Sequence, residues 1–135
     1  MKVAILTLLA LTACAQAGNI CVSSFHRVSR FSTQRLMIFA AGHPCEDENA
    51  KQTGVAAAED YCGKLPVEVE ICGAKMKYVK VDQGHETWPG CHVGLEYEGK
   101  VYEGKAGKGD CSAECGLNTI IDGNVLFENV PVCNL

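Results

Sequence analysis

Apolar and polar residues alternate along three stretches in the middle of the chain, and this period of two is typical of strands with one buried face. The stretches are VEVEIC (67–72), KMKYVKV (75–81) and CHVGLEY (91–97). In the third stretch, Val93, Leu95 and Tyr97 fall on one face of the strand. Tight turns are expected at Gly73-Ala74 and Glu98-Gly99 because glycine tolerates turn conformations. The pattern therefore predicts an antiparallel sheet.

Further strands are predicted towards both ends of the chain. Residues 19–28 (NICVSSFHRV) have the pattern of a first strand, and the apolar run Leu36–Phe39 predicts a second, with a helix as the alternative. Near the C-terminus, Asp122-Gly123 stands between two apolar runs in NTIIDGNVLFENVPVC (118–133). This dipeptide is a strong short-range hairpin signal, so we expect a turn there.

One segment, residues 44–62, predicts the main helix. Pro44 suits the first helical position, and the acidic residues 46–48 suit the positive end of the helix dipole. Gly63 is a suitable C-terminal stop, although Gly54 weakens the middle. Residues at three- and four-residue steps form one apolar face: Val55, Ala58, Tyr61 and Cys62. The predicted fold class is therefore α+β, with one main helix packed on an antiparallel sheet.

The N-terminal residues 1–17 have the pattern of a secretory signal peptide. A basic start is followed by an apolar run too short to span a bilayer, and Ala15-Gln16-Ala17 is a small-residue cleavage site. The alternative is that Leu11-Thr12-Ala13-Cys14 is a lipobox whose cysteine is lipidated. In either case we expect residues 18–135 to form a single exported domain.

The chain has nine cysteines, and removal or lipidation of Cys14 leaves eight. These are Cys21, Cys45, Cys62, Cys72, Cys91, Cys111, Cys115 and Cys133. An even set behind an export signal indicates four disulfides, and the absence of a C-x-x-C spacing argues against zinc, so no metal or cofactor is expected. A Cys21–Cys133 pair is expected to tie the two ends, while Cys111 and Cys115 are expected to take different partners.

The stretch GKVYEGKA (Gly99–Ala106) matches the phosphate-binding pattern G-x-x-x-x-G-K-[ST] except at its last position. A P-loop requires a helix that begins at its lysine and a hydroxyl group for magnesium. Here AGKGD (106–110) is unsuited to starting a helix, and Ala106 has no hydroxyl group. We therefore expect no nucleotide site, and we interpret the stretch as glycine turns whose charged side chains face water.

Histidine and carboxylate residues give limited support for catalysis. His85, Glu86 and His92 lie in GHETWPGCH (84–92), where Pro89 prevents a helix that would present both histidines to one metal ion. A secreted ribonuclease or hydrolase would use a His–carboxylate pair as acid and base. The candidates for such a pair are His92 with Glu96 or Glu98, and His26 with Arg27 is a further candidate that lacks a carboxylate. An enzyme is kept as an alternative only.

Charge is distributed unevenly along the chain. The formal net charge of −4 argues against general nucleic-acid binding, yet all three arginines lie in HRVSRFSTQR (26–35). The candidate partner-binding residues are Phe25, His26, Arg27, Arg30, Phe31 and Arg35. A basic and aromatic segment in an acidic protein suits an acidic partner, a lipid head group or RNA. The alternative is a solvated edge strand whose charges deter aggregation.

Four features of the chain resemble the small cysteine-rich secreted proteins of filamentous fungi, namely the candidate effectors of plant-associated species and, more loosely, the fungal killer toxins. These features are the AQA end of the signal, eight further cysteines, cysteines near both ends of the expected domain (Cys21 and Cys133), and the compact α+β pattern. This resemblance implies a secreted, non-enzymatic effector that binds a host protein or another host ligand, outside the host cell or after entry. It includes no defining motif, so no functional residue carries over from it.

A toxin-like antimicrobial protein that acts on membranes or channels is the alternative in which a membrane is the partner. Lys75, Lys77 and Lys80 on one predicted strand are the residues that would carry this function.

Overall fold

The computed structural model describes residues 18–27, 35–43, 45–46, 50–56, 61–87, 90–107, 111–115 and 119–133. Within these residues the chain forms ten strands and one short 3-10 helix. In chain order they are β1 (Gly18–Arg27), β2 (Arg35–Ala40), β3 (Ala50–Ala56), the 3-10 helix (Tyr61–Lys64), β4 (Val67–Ile71), β5 (Ala74–Lys80), β6 (Val93–Tyr97), β7 (Lys100–Glu103), β8 (Lys105–Ala106), β9 (Ala113–Glu114) and β10 (Thr119–Val130). The strands form two antiparallel sheets.

The predicted α+β fold is wrong, because the described part of 44–62 forms a strand and a 3-10 turn where the main helix was expected. Ala50–Ala56 forms β3, which pairs with β2. Gly54 in its middle has a φ of 83°, a left-handed conformation that an α-helix does not contain. The buried Thr53 donates from Oγ1 to the carbonyl oxygen of Leu36 over 3.0 Å. Pairing with β2 therefore outweighs the local helical signals.

The first sheet, here called sheet A, contains both the first and the last described strands. Its order is β3-β2-β1-β10-β8, and β9 also pairs with β10. Within it, Ile20 of β1 pairs with Ala40 of β2 on one side and with Phe127 of β10 on the other. The strand predicted at Leu36–Phe39 is confirmed as part of β2, and its helical alternative is wrong.

The hairpin predicted at Asp122-Gly123 is also wrong, because Thr119–Val130 is one continuous strand, β10. Its register with β1 shifts after Val22, which leaves Asn124 as the extra residue of a β-bulge. β10 pairs with β1 on one side and with β8 and β9 on the other. These neighbours keep the segment extended where its local sequence favours a turn.

The second sheet, here called sheet B, is a meander in the order β4-β5-β6-β7. Two-residue turns join β4 to β5 at Cys72-Gly73 (φ 53° and 77°) and β6 to β7 at Glu98-Gly99 (φ 49° and 78°). Positive φ at both central residues defines the type I′ turn, whose twist matches that of hairpin strands. The strands predicted from the alternation are confirmed here, and the first turn lies one residue earlier than expected.

The inner faces of the two sheets enclose one main hydrophobic core. Ile20, Ile38 and Phe127 enter it from sheet A, and Tyr78 and Leu95 enter it from sheet B; all five are fully buried. The rings of Tyr78 and Phe127 meet edge to face, with centroids 6.1 Å apart. A second, smaller cluster lies on the other face of sheet A and is here called the outer cluster: Cys21, Phe39, Cys111 and Leu126.

The segment from β7 to β8 passes from sheet B to sheet A, and Gly104 is the residue at the crossing. Its N–H donates to the carbonyl oxygen of Val93 over 3.2 Å, and its own carbonyl oxygen accepts from His85 N–H over 2.8 Å. A Cβ atom added at Gly104 would lie 2.4 Å from Cγ1 of Val125. The crossing therefore requires glycine.

All eight cysteines of the predicted set form disulfides. The pairs are Cys21–Cys111, Cys45–Cys115, Cys62–Cys91 and Cys72–Cys133. The predicted set of four disulfides is confirmed, and so are separate partners for Cys111 and Cys115, whereas the predicted Cys21–Cys133 pair is wrong. Strand pairing already joins the ends of the sheet at Gly18 and Val130, so no disulfide is needed for that purpose.

Candidate functional site

The predicted arginine-bearing surface lies at one end of sheet A, where β1 ends and β2 begins. Phe25 of β1 is half-buried against the outer cluster and pairs with Arg35 of β2. Arg35 is exposed, and its Nη1 donates to Oε1 of Gln52 on β3 over 3.0 Å. Arg30 and Phe31 lie outside the described residues, as do the side chains of His26 and Arg27. The structure thus brings together Phe25 and Arg35 from the predicted set.

Phe25 and Arg35 are held on paired strands, which limits the motion of their backbone. A guanidinium group has five N–H donors, and the bond to Gln52 uses one of them. The remaining donors form a planar fork that matches a carboxylate or phosphate group. Phe25, which pairs with Arg35 across β1 and β2, supplies apolar contact area on the neighbouring strand. The pair is therefore suited to an anionic group carried on a larger partner.

His92, the best catalytic candidate of the sequence, lies beside Glu86. The two residues form an isolated antiparallel bridge, and Nε2 of His92 is 3.7 Å from Oε1 of Glu86. The Nδ1–H group of His92 donates to the carbonyl oxygen of Gly84 over 2.8 Å, which leaves Nε2 facing the carboxylate. The His92 side chain is 35% exposed, so water reaches the pair.

The partnership of His92 and Glu86 depends on a chain reversal that no spacing rule reveals. Thr87 N–H donates to the carbonyl oxygen of Cys91 over 2.8 Å, so the chain reverses its direction between these two residues. The carboxylates predicted for His92 are elsewhere: Glu96 is four residues further along the extended chain, about 13 Å away, and Glu98 is in the following turn. Among the described residues, no group of three or more His, Cys, Asp or Glu is placed to hold a metal ion.

The lysines of the antimicrobial alternative do not share one basic face. Lys75 and Lys77 both lie on the outer face of sheet B. In the register of β4 and β5, Lys75 pairs with Glu70 and Lys77 pairs with Glu68. Lys80 has the opposite parity on β5 and therefore belongs to the other face. Each outward lysine thus has a carboxylate beside it, and the surface has mixed charge.

A shallow depression of about 170 Å³ lies on the same outer face, lined in part by Lys77, Glu96 and Tyr97. Ligand pockets for small molecules usually measure roughly 300–1,000 Å³, so this depression is small for such a ligand. A hydrogen bond to the carboxylate of Glu98 raises the pKa of Tyr97, and the phenol is neutral at physiological pH. The depression offers polar contacts but encloses little volume.

The stretch GKVYEGKA forms β7, the sheet crossing at Gly104 and β8. Gly99 lies in the predicted turn, whereas Gly104 lies in the crossing, where a second turn was expected. Lys105 stands in a strand where a P-loop would have a helix. Its Nζ donates to Oε1 of Glu128 over 2.5 Å, and this bond raises the pKa of Lys105. The lysine is thus engaged with a carboxylate of the neighbouring strand.

No protein-family model, no curated protein and no solved structure matches this chain. In the part of the chain that the structure describes, no helix is long and apolar enough to cross a membrane. The class is therefore defined by the fold: a small two-sheet β protein held by four disulfides, which fit an oxidising, extracellular environment.

Proposed function

We propose that this chain is a secreted, non-enzymatic protein that acts by binding a host molecule, in the manner of the fungal cysteine-rich effectors that its sequence resembles. Residues 1–17 direct export, and the four disulfides stabilise the small fold outside the cell. The observation that carries the proposal is the pairing of Phe25 with Arg35 at the end of sheet A.

The proposed partner is a host protein or another host ligand that presents carboxylate or phosphate groups. Arg35 supplies the directional contact, because its fork recognises such groups in a defined geometry. The other two arginines, Arg27 and Arg30, lie within five residues of Phe25 in the sequence, so all three arginines belong to one short basic segment. In a chain of net charge −4, a segment that contains all three arginines is suited to an acidic partner.

Saturable binding of the fluorescently labelled, oxidised protein to host plant tissue tests this function. The variant Arg27→Ser/Arg30→Ser/Arg35→Ser is expected to lose at least about tenfold in affinity, because charge-assisted hydrogen bonds to the partner are removed. The control Lys75→Ser/Lys77→Ser/Lys80→Ser removes the same amount of charge from sheet B and is expected to bind like the parent protein.

Equal losses in both variants would show attraction by net charge alone and would contradict a specific surface. Undiminished binding by the arginine variant would remove these residues from the site. Absence of saturable binding by the parent protein would contradict the binding function itself.

The His92–Glu86 pair supports a second candidate, a secreted ribonuclease or hydrolase. Nδ1 is fixed by Gly84, so Nε2 is oriented for proton transfer beside a carboxylate. If the protein cleaves RNA, His92→Ala is expected to abolish cleavage in a fluorogenic RNA assay. His43→Ala is the matched control, since His43 also lies beside a carboxylate, Glu46, at 3.2 Å. Unchanged turnover in His92→Ala would exclude His92 as the catalytic residue, and absence of cleavage by the parent protein would exclude a ribonuclease.

A further inference from the structure

The Cys45–Cys115 disulfide differs from the other three in its exposure. Cys45 is exposed, whereas the other seven bonded cysteines are half-buried or buried. Cys115 is half-buried against the outer cluster. By contrast, both cysteines of Cys21–Cys111 are fully buried, and the other two disulfides pack against the main core. A reagent in solution therefore reaches one end of one disulfide more readily than any other.

Exposure at one end also selects the sulfur that is attacked. A thiolate opens a disulfide by attacking one sulfur while the other leaves, so it needs free access to the attacked atom. Solvent lies on the Cys45 side, whereas the outer cluster lies on the Cys115 side. Sγ of Cys45 is thus the accessible target, and Sγ of Cys115 is the leaving group.

We propose that Cys45–Cys115 is a thiol-exchange site, at which a small neutral or cationic thiol forms a mixed disulfide with Cys45. The attacking thiolate forms an S–S bond with Sγ of Cys45 as the Cys45–Cys115 bond breaks. The bonding electron pair stays on Sγ of Cys115, which takes a proton from water. A second thiolate then attacks the sulfur of the bound thiol, which releases the oxidised dimer of the small thiol and leaves Cys45 reduced.

Charge beside the disulfide determines the class of thiol. Glu46 follows Cys45 in the chain and is exposed, and so is Glu114, which precedes Cys115. The carbonyl oxygen of Glu114 lies 3.7 Å from Sγ of Cys45. An anionic thiol brings a carboxylate in addition to its thiolate and is repelled by these side chains. An amine-bearing thiol such as cysteamine is attracted by them.

Opening this bond leaves most of the fold covalently held. Cys111 lies four residues before Cys115 and remains joined to Cys21, and Ser23 Oγ donates to the carbonyl oxygen of Cys111 over 2.8 Å. The exchange therefore releases the connection between β2 and β3 from the segment that contains β9. Thiol exchange at Cys45 thus affects this connection without separating the two sheets. The exchange does not depend on the binding function proposed above.

The first test uses the oxidised parent protein with increasing 2-mercaptoethanol, alkylation of free thiols, and peptide mapping by mass spectrometry. A species with two alkyl groups, on Cys45 and Cys115, is expected to accumulate before any other. Earlier alkylation of the Cys62–Cys91 or Cys72–Cys133 peptides would overturn the proposal. Simultaneous opening of all four disulfides would do so as well.

The second test locates the adduct and measures its charge dependence. Brief treatment with cysteamine, followed by acid quenching, is expected to place the adduct mass on the Cys45 peptide; an adduct confined to Cys115 would overturn the assignment.

Reaction with 3-mercaptopropionate is expected to accelerate by roughly threefold in Glu46→Gln/Glu114→Gln at low ionic strength, an effect that salt removes. The reaction with cysteamine is expected not to accelerate in that variant, and an equal acceleration for both thiols would contradict the charge argument.

Discussion

Gly104 shows how a single missing side chain permits the chain to change sheets. In Gly104→Ala the new Cβ atom would meet Cγ1 of Val125 at 2.4 Å and the carbonyl oxygen of Val93 at 3.2 Å. Both neighbours are fully buried, so the strain would spread into packed structure. We expect the free energy of unfolding to fall by roughly 2–3 kcal/mol, measured by urea unfolding under oxidising conditions.

The control for this substitution is Gly63→Ala in the 3-10 helix. Among the described residues, no heavy atom beyond the adjacent chain lies within 4 Å of a Cβ atom placed at Gly63, and the residue is exposed. The change in unfolding free energy is expected to stay within about 0.5 kcal/mol. Equal destabilisation by the two substitutions would contradict the steric account of the crossing.

The strand β3 occupies sequence that favours a helix, and Gly54 distinguishes the two states. Gly54 has a φ of 83°, so Gly54→Ala would force alanine into the left-handed region. This substitution is expected to destabilise the fold by about 1–2 kcal/mol. In a helix the same change would stabilise it by about 1 kcal/mol. The sign of the shift in the urea midpoint is therefore the measurement, with Lys51→Ala as a near-neutral control at an exposed position.

Sheet B could be predicted from the sequence, and sheet A could be predicted only in part, because their pairings differ in range. Cys72-Gly73 and Glu98-Gly99 join strands that are neighbours along the chain, so alternation and turn residues suffice. β10 instead pairs with β1, and its partners override the turn signal at Asp122-Gly123. A local pattern has no information about a strand that lies at the opposite end of the chain.

At the candidate site, too, some features can be predicted from local sequence and others depend on distant strand pairing. Phe25 and Arg35 stand out in the sequence as part of a basic and aromatic segment, but their cross-strand pairing depends on the register of β1 and β2. The sequence does not identify Glu86 as the carboxylate beside His92, because a chain reversal between the two residues produces the contact. The sequence therefore identifies the types of residue at the candidate site, whereas only the fold shows which of these residues lie next to each other.

Across the molecule, the disulfides contribute unequally to stability. Cys72–Cys133 joins the β4–β5 turn of sheet B to the end of sheet A, so it is the covalent bond that links the two layers there. Cys72→Ser/Cys133→Ser is expected to lower the unfolding free energy by about 2–5 kcal/mol. Cys45→Ser/Cys115→Ser is expected to cost less, because Cys21–Cys111 still anchors the same segment. Thermal and urea unfolding of both variants test this order, and the reverse order would contradict it.

The adjacency of β1 and β10 at the centre of sheet A has a consequence for how the molecule is made. During synthesis β1 emerges first and can pair early with β2, but its other edge has no partner until Val130 and its neighbours follow. Contacts between distant parts of a chain form slowly. An exposed strand edge is meanwhile a template for pairing with other chains. Closure of sheet A therefore depends on β10, and a nascent chain released before β10 is made would have an open strand edge in the middle of this sheet.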